Sequence, residues 1–189
     1  MGEFSFITPM TESTTIILIG AGHVNLYIAA HAETLIERGA RVLLIAPGGF
    51  WYSGMATGLQ AQSLVHACEL PTQYEDGLLV TTNLQSVEAS RIFAGGDCAA
   101  MEGYALPKLG VFGVRQAAFI HTNLLASLEG RPLVQYKPQK NYLAILNLGD
   151  KTALATWSRF WWNGRSSMKL KDFIDQRFIK IYKQFKDKK

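Results

Sequence analysis

Thr14–Asn25 has the sequence TTIILIGAGHVN, in which an apolar, β-branched run leads into two closely spaced glycines. Ile16–Ile19 predicts a buried strand, and Gly20 and Gly22 predict a tight turn that opens a helix. Backbone N–H groups at a helix N-terminus bind phosphate, and glycines let a pyrophosphate approach the backbone. The stretch therefore indicates a dinucleotide pocket, although many glycine turns after strands bind nothing.

The residues that follow complete one βαβ unit. A helix is expected from about His23 to Arg38, ended by Gly39, and a second parallel strand is expected at Arg41–Ala46. Two positions depart from the general dinucleotide pattern, because Asn25 stands where the third glycine is usual and the second strand closes with Ala46-Pro47 rather than with an acidic residue. Either backbone and water hold the ribose, or the site is impaired.

The whole pattern predicts an α/β fold. We expect a Rossmann-like domain with a parallel sheet, helices on both faces, a small antiparallel hairpin and a C-terminal amphipathic helix. The further predicted elements are a loop at Phe50–Gln62, a short strand at Leu78–Val80, a third buried strand at Arg91–Ala94 that ends in Gly96-Asp97, a helix at Gly110–Leu128 stopped by Gly130, a hairpin of Tyr142–Leu148 and Thr152–Trp157 about Gly149-Asp150, and a long helix at Ser167–Phe185.

Length and composition indicate a single globular domain. The chain has 189 residues, of which 48% are apolar, enough for a sizeable core. No apolar run reaches about 18 residues, so we expect no membrane-spanning helix, and residues 1–13, expected to be flexible, lack the pattern of a secretory signal. Cys68 and Cys98 form no CxxC motif and no metal spacing, which favours reduced, semi-buried thiols in a cytoplasmic protein over a redox pair.

The positive charge is concentrated at the C-terminal end. Residues 157–189 hold ten Lys or Arg and three Asp or Glu, a net charge of +7, whereas the whole chain carries +4, so residues 1–156 carry −3. This distribution argues against a nucleic-acid-binding face spread over the fold. Residues 161–189 combine an apolar stripe with a cationic face, which indicates a membrane-surface helix, a core-packed helix or a dimer contact. The stripe comprises Met168, Leu170, Phe173, Ile174, Phe178, Ile181, Tyr182 and Phe185.

One motif resembles a known family. RIFAGGDCA, at Arg91–Ala99, resembles the second FAD motif of the pyridine nucleotide-disulfide oxidoreductase superfamily, in which the aspartate holds the ribityl chain of FAD. The resemblance implies that Gly96 permits a close approach and that Asp97 binds the cofactor. A carboxylate suits that role because it accepts hydrogen bonds from hydroxyls and is ionised at neutral pH. The alternative is a Gly-Asp turn that caps the following helix.

Two other segments extend the resemblance. Phe50–Gly58, FWYSGMATG, is similar to the loop near the flavin in type II NADH dehydrogenases and in flavoproteins fused to selenide, water dikinase, a subgroup that also tends to lack the acidic residue after the second strand. Pro107–Ala117, PKLGVFGVRQA, is similar to the helix start beneath the isoalloxazine, where Lys108 either adds positive charge or is a solvated lysine. The implied FAD-binding residues are Gly20, Ala21, Gly22, His23, Val24, Asn25, Ala46, Pro47, Tyr52, Ser53, Gly54, Met55, Gly96, Asp97, Lys108, Gly110, Val111 and Phe112.

The resemblance also shows what the chain lacks. In the superfamily an NADH-binding domain is inserted within the FAD domain, whereas here residues 63–72 form only a short junction and no second glycine fingerprint occurs. The resemblance implies an FAD-binding oxidoreductase that passes electrons from an external donor to a quinone or another acceptor, located in the cytoplasm or peripherally at the inner face of a membrane.

Two alternatives stay open. One is a non-catalytic FAD module, and the other is a membrane-surface or interaction protein that kept the fold and lost the cofactor. No residue is assigned as an acid–base catalyst, and no metal ligand is predicted. His23 is expected to contact phosphate, and His121 is expected to be structural.

Overall fold

The computed structural model describes residues 14–20, 22–46, 67, 69–73 and 77–183, apart from the side chains at 178 and 181–183. Over these residues the chain has the predicted mixed α/β fold, with parallel and antiparallel sheets and long helices. The elements are β1 (Thr15–Ile19), α1 (His23–Ala30), α2 (Ala32–Ile36), β2 (Arg41–Ile45), β3 (Thr72–Gln73), β4 (Gly77–Val80), a 3-10 turn (Gly96–Cys98), β5 (Ala99–Met101), α3 (Gly110–Leu128), β6 (Leu143–Asn147), β7 (Ala153–Trp157), β8 (Phe160–Gly164) and α4 (Arg165–Lys183).

The predicted βαβ unit is present. Strands β1 and β2 pair in parallel over their whole length, with Ile17 opposite Leu43. Ile16 and Leu18 are buried and belong to the same core cluster as Ile28 of α1 and Leu35 of α2, because alternate residues of a strand point to opposite faces. This packing fixes the C-terminal end of β1, where the glycine turn begins.

The predicted single helix over residues 23–38 is wrong, since the structure divides it into α1 and α2 at His31. The imidazole of His31 donates from Nδ1 to Tyr27 O at 2.8 Å, and the hydroxyl of Thr34 donates to His31 O at 2.8 Å. Side-chain hydrogen bonds of this kind compete with regular helical pairing and change the direction of the backbone. His121 of α3 reaches the break and donates from Nε2 to Thr34 Oγ1 at 3.0 Å and to His31 O at 3.2 Å, which agrees with the structural role predicted for it.

Acid is expected to weaken the fold through His121. Burial lowers its pKa below the ordinary value of 6.5, against the raising effect of the His31 carbonyl, and electrostatic interactions with His31 and Arg38 lower the pKa further. The unfolded chain therefore binds a proton more readily, so the stability from the neutral ring is complete above about pH 6.5 and is lost as the pH falls through the lower folded pKa. We expect the free energy of unfolding, measured by urea denaturation, to fall from pH 7 towards about pH 5.

A substitution tests whether the imidazole of His121 causes this dependence of the free energy of unfolding on pH. His121→Gln keeps a donor near Thr34 and removes the titrating group, so we expect a shallower dependence on pH. Thr34→Val is the matched control, because it removes the hydroxyl contact without a titrating group and is expected to lower stability equally at each pH. An unchanged slope in His121→Gln would refute the assignment.

The second sheet corrects another prediction. Strand β4 pairs with β3 in antiparallel and with β5 in parallel orientation, and Leu78 lies opposite Ala99. Arg91–Ala94 was expected to be the third buried strand, but it makes only an isolated bridge between Phe93 and Gln85. The chain folds back on itself here, with hydrogen bonds from Ser86 N to Ile92 O and from Ala94 N to Leu84 O. Gly96 and Asp97 consequently begin a 3-10 turn instead of closing a strand.

Helix α3 has the predicted bounds and lies across α1. Gly130, at φ +64°, follows its C-terminus as expected. Its buried face carries a fully buried amide, Asn123, which donates from Nδ2 to Asn83 O and Val134 O and accepts from Val134 N, at 2.7 to 2.9 Å. The side chain thereby satisfies backbone groups of two loops that flank the helix.

The C-terminal part forms an antiparallel sheet with one more strand than predicted. Strands β6 and β7 form the expected hairpin about Gly149, at φ +90°, and β8 pairs with β7. Trp161 and Trp162 lie in β8, which directly precedes α4. Helix α4 packs against β7 near its own start, where Ser167 is fully buried, while Phe173 is exposed.

None of the helices within the described residues combines the length and the hydropathy that a membrane span requires.

Candidate dinucleotide-binding site

The glycine turn joins the end of β1 to the start of α1. Gly20 has φ +90°, which favours glycine, and its N–H donates to Ile45 O of β2 at 2.7 Å. Gly22 is the N-cap residue of α1, and a Cβ placed on Gly20 or on Gly22 would meet no atom of the described residues within 4 Å. Gly22 has no side chain with which to cap α1, and no acidic residue lies in the first turn of the helix. Among the described residues, the N-terminus of α1 therefore has room for an anion and the dipole that favours one.

Asn25 has a defined role in this turn. Its Nδ2 donates to Ile19 O at 2.6 Å and to Gly20 O at 3.0 Å. The amide thus ties the first turn of α1 to the end of β1, where the general fingerprint has a glycine for close packing of helix and strand. The departure at this position is compatible with an intact turn.

A second pair of glycines, Gly96 and Gly113, lets the Gly-Asp motif pack against α1 and α3. A Cβ on Gly113 of α3 would lie 3.2 Å from Gly96 Cα, and a Cβ on Gly96 would lie 3.9 Å from Val24 Cγ2 of α1. Gly96 also has φ +75°. Residues distant in sequence therefore meet at the N-terminal ends of α1 and α3.

Charged groups surround this junction. Asp97 is exposed, and its carboxylate raises the pKa of His23, although burial is the larger effect and lowers that pKa overall. Lys108 donates from Nζ to the main-chain oxygen of Asp97 at 3.0 Å. The thiol of Cys98 is half-buried and donates to Gly95 O at 3.3 Å, and burial raises its pKa. The Cys98 thiol therefore stays protonated at neutral pH and has the semi-buried position predicted for it. Cys68 lies outside the described residues.

The start of α3 forms the other side of the site. A Cβ on Gly110 would meet no atom of the described residues within 4 Å, the N-cap residue Leu109 makes no side-chain cap, and no acidic residue lies in the first turn of α3. Val111 is half-buried, whereas the ring of Phe112 is buried against Tyr142, with ring centroids 5.4 Å apart. The amide of Phe112 donates to Leu109 O at 3.0 Å, so the first turn presents Gly110 and Val111 at its open end.

The remaining predicted residues are only partly described. Ala46 is exposed directly after β2. Ala21, Pro47, Tyr52, Ser53, Gly54 and Met55 lie outside the described residues. Within the described part of the chain, no group of three or more His, Cys, Asp or Glu side chains is arranged to hold a metal ion.

Sequence reasoning missed one residue of this region, Gln116. It is 3% exposed, and its Oε1 accepts a hydrogen bond from Gly96 N at 2.7 Å. The available signal was its position three residues after Gly113 and four before Ile120, which places it on the same face of α3.

Comparison with solved structures shows the fold. The sulfide:quinone oxidoreductase of the hyperthermophilic bacterium Aquifex aeolicus is similar over 90% of this chain and 50% of that chain, with a TM-score of 0.53 and 14% identity. The chain shares that fold. It spans half the length of the Aquifex protein, and at this identity the likeness is one of architecture.

Two more distant structures have a TM-score of 0.40. One is an engineered water-forming NADPH oxidase bound to NADPH, with 18% identity, covering 76% of this chain and 42% of that chain. The other is a NAD-dependent persulfide reductase from A. fulgidus, with 16% identity, covering 79% and 36%. No protein-family model matches the chain, and no curated protein matches it in sequence.

Proposed function

We propose that the chain is an FAD-binding flavoprotein that passes electrons from an external donor to a quinone or another acceptor. The observation that carries the proposal is the meeting of the Gly96–Asp97 turn with the starts of α1 and α3, at Gly113 and Val24. The fold shared with a sulfide:quinone oxidoreductase supports it, as does the resemblance of RIFAGGDCA to an FAD motif.

The residues present fit an extended dinucleotide. In the proposal, the open N-terminus of α1 at Gly22 and His23 holds the pyrophosphate, which favours an uncapped helix start. Asp97 accepts hydrogen bonds from the ribityl hydroxyls. The start of α3 at Gly110 faces the flavin ring, with the cation of Lys108 nearby.

The other residues assigned by the resemblance complete the proposed site. They are Ala21, Val24, Asn25, Ala46, Pro47, Tyr52, Ser53, Gly54, Met55, Val111 and Phe112. Bound FAD supplies the redox chemistry, and the protein contributes binding, orientation and electrostatic tuning.

The electron donor is proposed to be a separate molecule that is not bound by a second domain of this chain. Residues 63–72 are too few to hold a second dinucleotide domain, and the sequence has a single glycine fingerprint. The chain therefore corresponds, in this proposal, to an FAD domain without the inserted NADH domain. A quinone is one acceptor to test, because the Aquifex neighbour is named for it.

A non-catalytic FAD module is the second candidate, favoured by the same short junction.

An assay of NADH oxidation distinguishes the enzyme from the module. If the chain is an oxidoreductase, the protein reconstituted with FAD is expected to oxidise NADH with a quinone or ferricyanide faster than free FAD does. Rates no better than those of free FAD would contradict the enzyme proposal and leave the module. Boiled protein with the same FAD content is the control for released cofactor.

A membrane surface is the proposed location of the C-terminal segment. Phe160 is 77% and Trp161 is 70% exposed in β8, and Phe173 of α4 is exposed as well. Interfacial segments combine aromatic side chains with Lys and Arg, and residues 157–189 carry a net charge of +7. Co-flotation with anionic liposomes tests whether this segment binds a membrane surface. The proposed location of the protein is the cytoplasm or the inner face of the membrane. Recovery of a concentration-dependent homodimer instead would favour the dimer contact.

A further inference from the structure

Gln116 links α3 to the backbone of the Gly-Asp turn. Its side chain is almost fully buried, and Oε1 lies 2.7 Å from Gly96 N. Because a backbone N–H is a donor, the amide oxygen has to face it. Burying such a donor without an acceptor is unfavourable, so the hydrogen bond favours one orientation of the peptide between Gly95 and Gly96.

The surrounding packing leaves little room for another arrangement. A Cβ on Gly95 would lie 2.8 Å from Ile120 Cδ1 and 3.2 Å from Gln116 Oε1, and a Cβ on Gly113 would lie 3.2 Å from Gly96 Cα. The turn therefore rests directly on one face of α3. Gly96 adopts φ +75°, and the backbone turns at this residue immediately before Asp97.

Asp97 lies one residue beyond the bonded peptide and is exposed. Its carboxylate interacts electrostatically with His23, at the start of α1. The direction of the peptide before Gly96 thus influences where the Asp97 carboxylate stands relative to α1.

We propose that Gln116 is a positioning residue, which orients Asp97 for the ribityl chain of FAD through its hydrogen bond to Gly96 N–H. The inference rests on the proposed FAD function. Gln116 itself lies beneath the turn and touches no part of the cofactor in this proposal. Its effect should therefore be confined to the flavin half of the ligand, and binding at the glycine turn of α1 should be independent of it.

The test compares FAD with ADP, because ADP contains the phosphates that α1 is proposed to bind but lacks the ribityl chain. Gln116→Met removes the acceptor oxygen but keeps a side chain of similar length. Gln116→Asn shortens the side chain by one methylene, which moves the acceptor oxygen away from Gly96 N. We expect both to weaken FAD binding about tenfold or more, as loss of a buried hydrogen bond does, and to leave ADP affinity within about twofold. Gln116→Glu keeps an oxygen at the same reach and is expected to restore FAD affinity.

Asn123→Leu is the matched control, since Asn123 is a second buried amide two turns along the same helix and bonds to the backbone of Asn83 and Val134 instead of Gly96. It is expected to lower stability without a change in FAD affinity. Amide hydrogen exchange at Gly96 in the protein without FAD provides a readout independent of the cofactor: faster exchange is expected in the Met and Asn variants and protection in the Glu variant.

The outcomes separate the two claims. If the unaltered protein binds no FAD, the proposed function fails, whatever the variants show. If it binds FAD and either Gln116→Met or Gln116→Asn binds as tightly, the positioning role is overturned and the function stands. Equal losses of FAD and ADP affinity would also overturn it, because they indicate general disruption of the fold. Should the Met variant fail to fold, the Asn variant decides.

Discussion

Asp97→Ala is expected to weaken FAD binding by roughly 100-fold, or about 3 kcal/mol. Asp97 is exposed in the turn that contacts the starts of α1 and α3, and its carboxylate is proposed to bind the ribityl hydroxyls. Hydrogen bonds to a charged acceptor contribute about 1.5–3 kcal/mol each, and alanine removes the acceptor entirely. Quenching of FAD fluorescence during titration with the protein measures the affinity.

Two comparisons make this prediction specific. Glu102→Gln removes one exposed negative charge five residues away and is expected to leave FAD affinity unchanged, while Asp97→Asn, which keeps one acceptor oxygen, should give an intermediate loss. The pKa of His23, followed by NMR in the protein without FAD, should fall further in Asp97→Ala, because the Asp97 carboxylate raises it. Wild-type FAD affinity in Asp97→Ala would refute the assigned role.

Asn123→Leu is expected to lower the free energy of unfolding by about 3 kcal/mol, measured by urea denaturation. Leucine matches the shape of asparagine but leaves Asn83 O, Val134 O and Val134 N without their partner in the buried Asn123 side chain. Each buried polar group left unpaired costs about 1–3 kcal/mol, partly offset by the apolar side chain. The loss should therefore appear as a lower denaturation midpoint.

The neighbouring Thr122 provides the control. It is exposed on the same helix, and its hydroxyl donates to Ala118 O at 2.9 Å. Thr122→Val is expected to change stability by less than about 0.5 kcal/mol. Similar stabilities for Asn123→Leu and Thr122→Val would show that the buried amide is not a stabilising contact.

Local signals predicted the elements that depend on local structure. Helix α3 has its expected bounds because its apolar period and the following Gly130 are encoded within the segment itself. Arg91–Ala94 differs, because a short apolar run does not reveal that Ser86 and Leu84 will bond back to it. Strand β8 was missed for a related reason, since Trp161 and Trp162 are placed by pairing with β7.

The candidate site could be predicted to the extent that its motifs are contiguous. The glycine turn before α1 and the role proposed for Asp97 came from sequence patterns and a family resemblance, whereas the contact of Gly96 with Gly113 needed the structure. Gln116 and Asn123 were missed because a polar residue on an apolar helix face has no partner in the sequence. Their partners, Gly96 and Val134, are brought to them only by tertiary folding.

The most direct test of the central claim is the visible absorption spectrum of the protein after incubation with FAD and removal of free cofactor by gel filtration. We expect a yellow protein, with a flavin band that elutes with the polypeptide in equal molar amount. A folded, colourless protein that retains no FAD would contradict it.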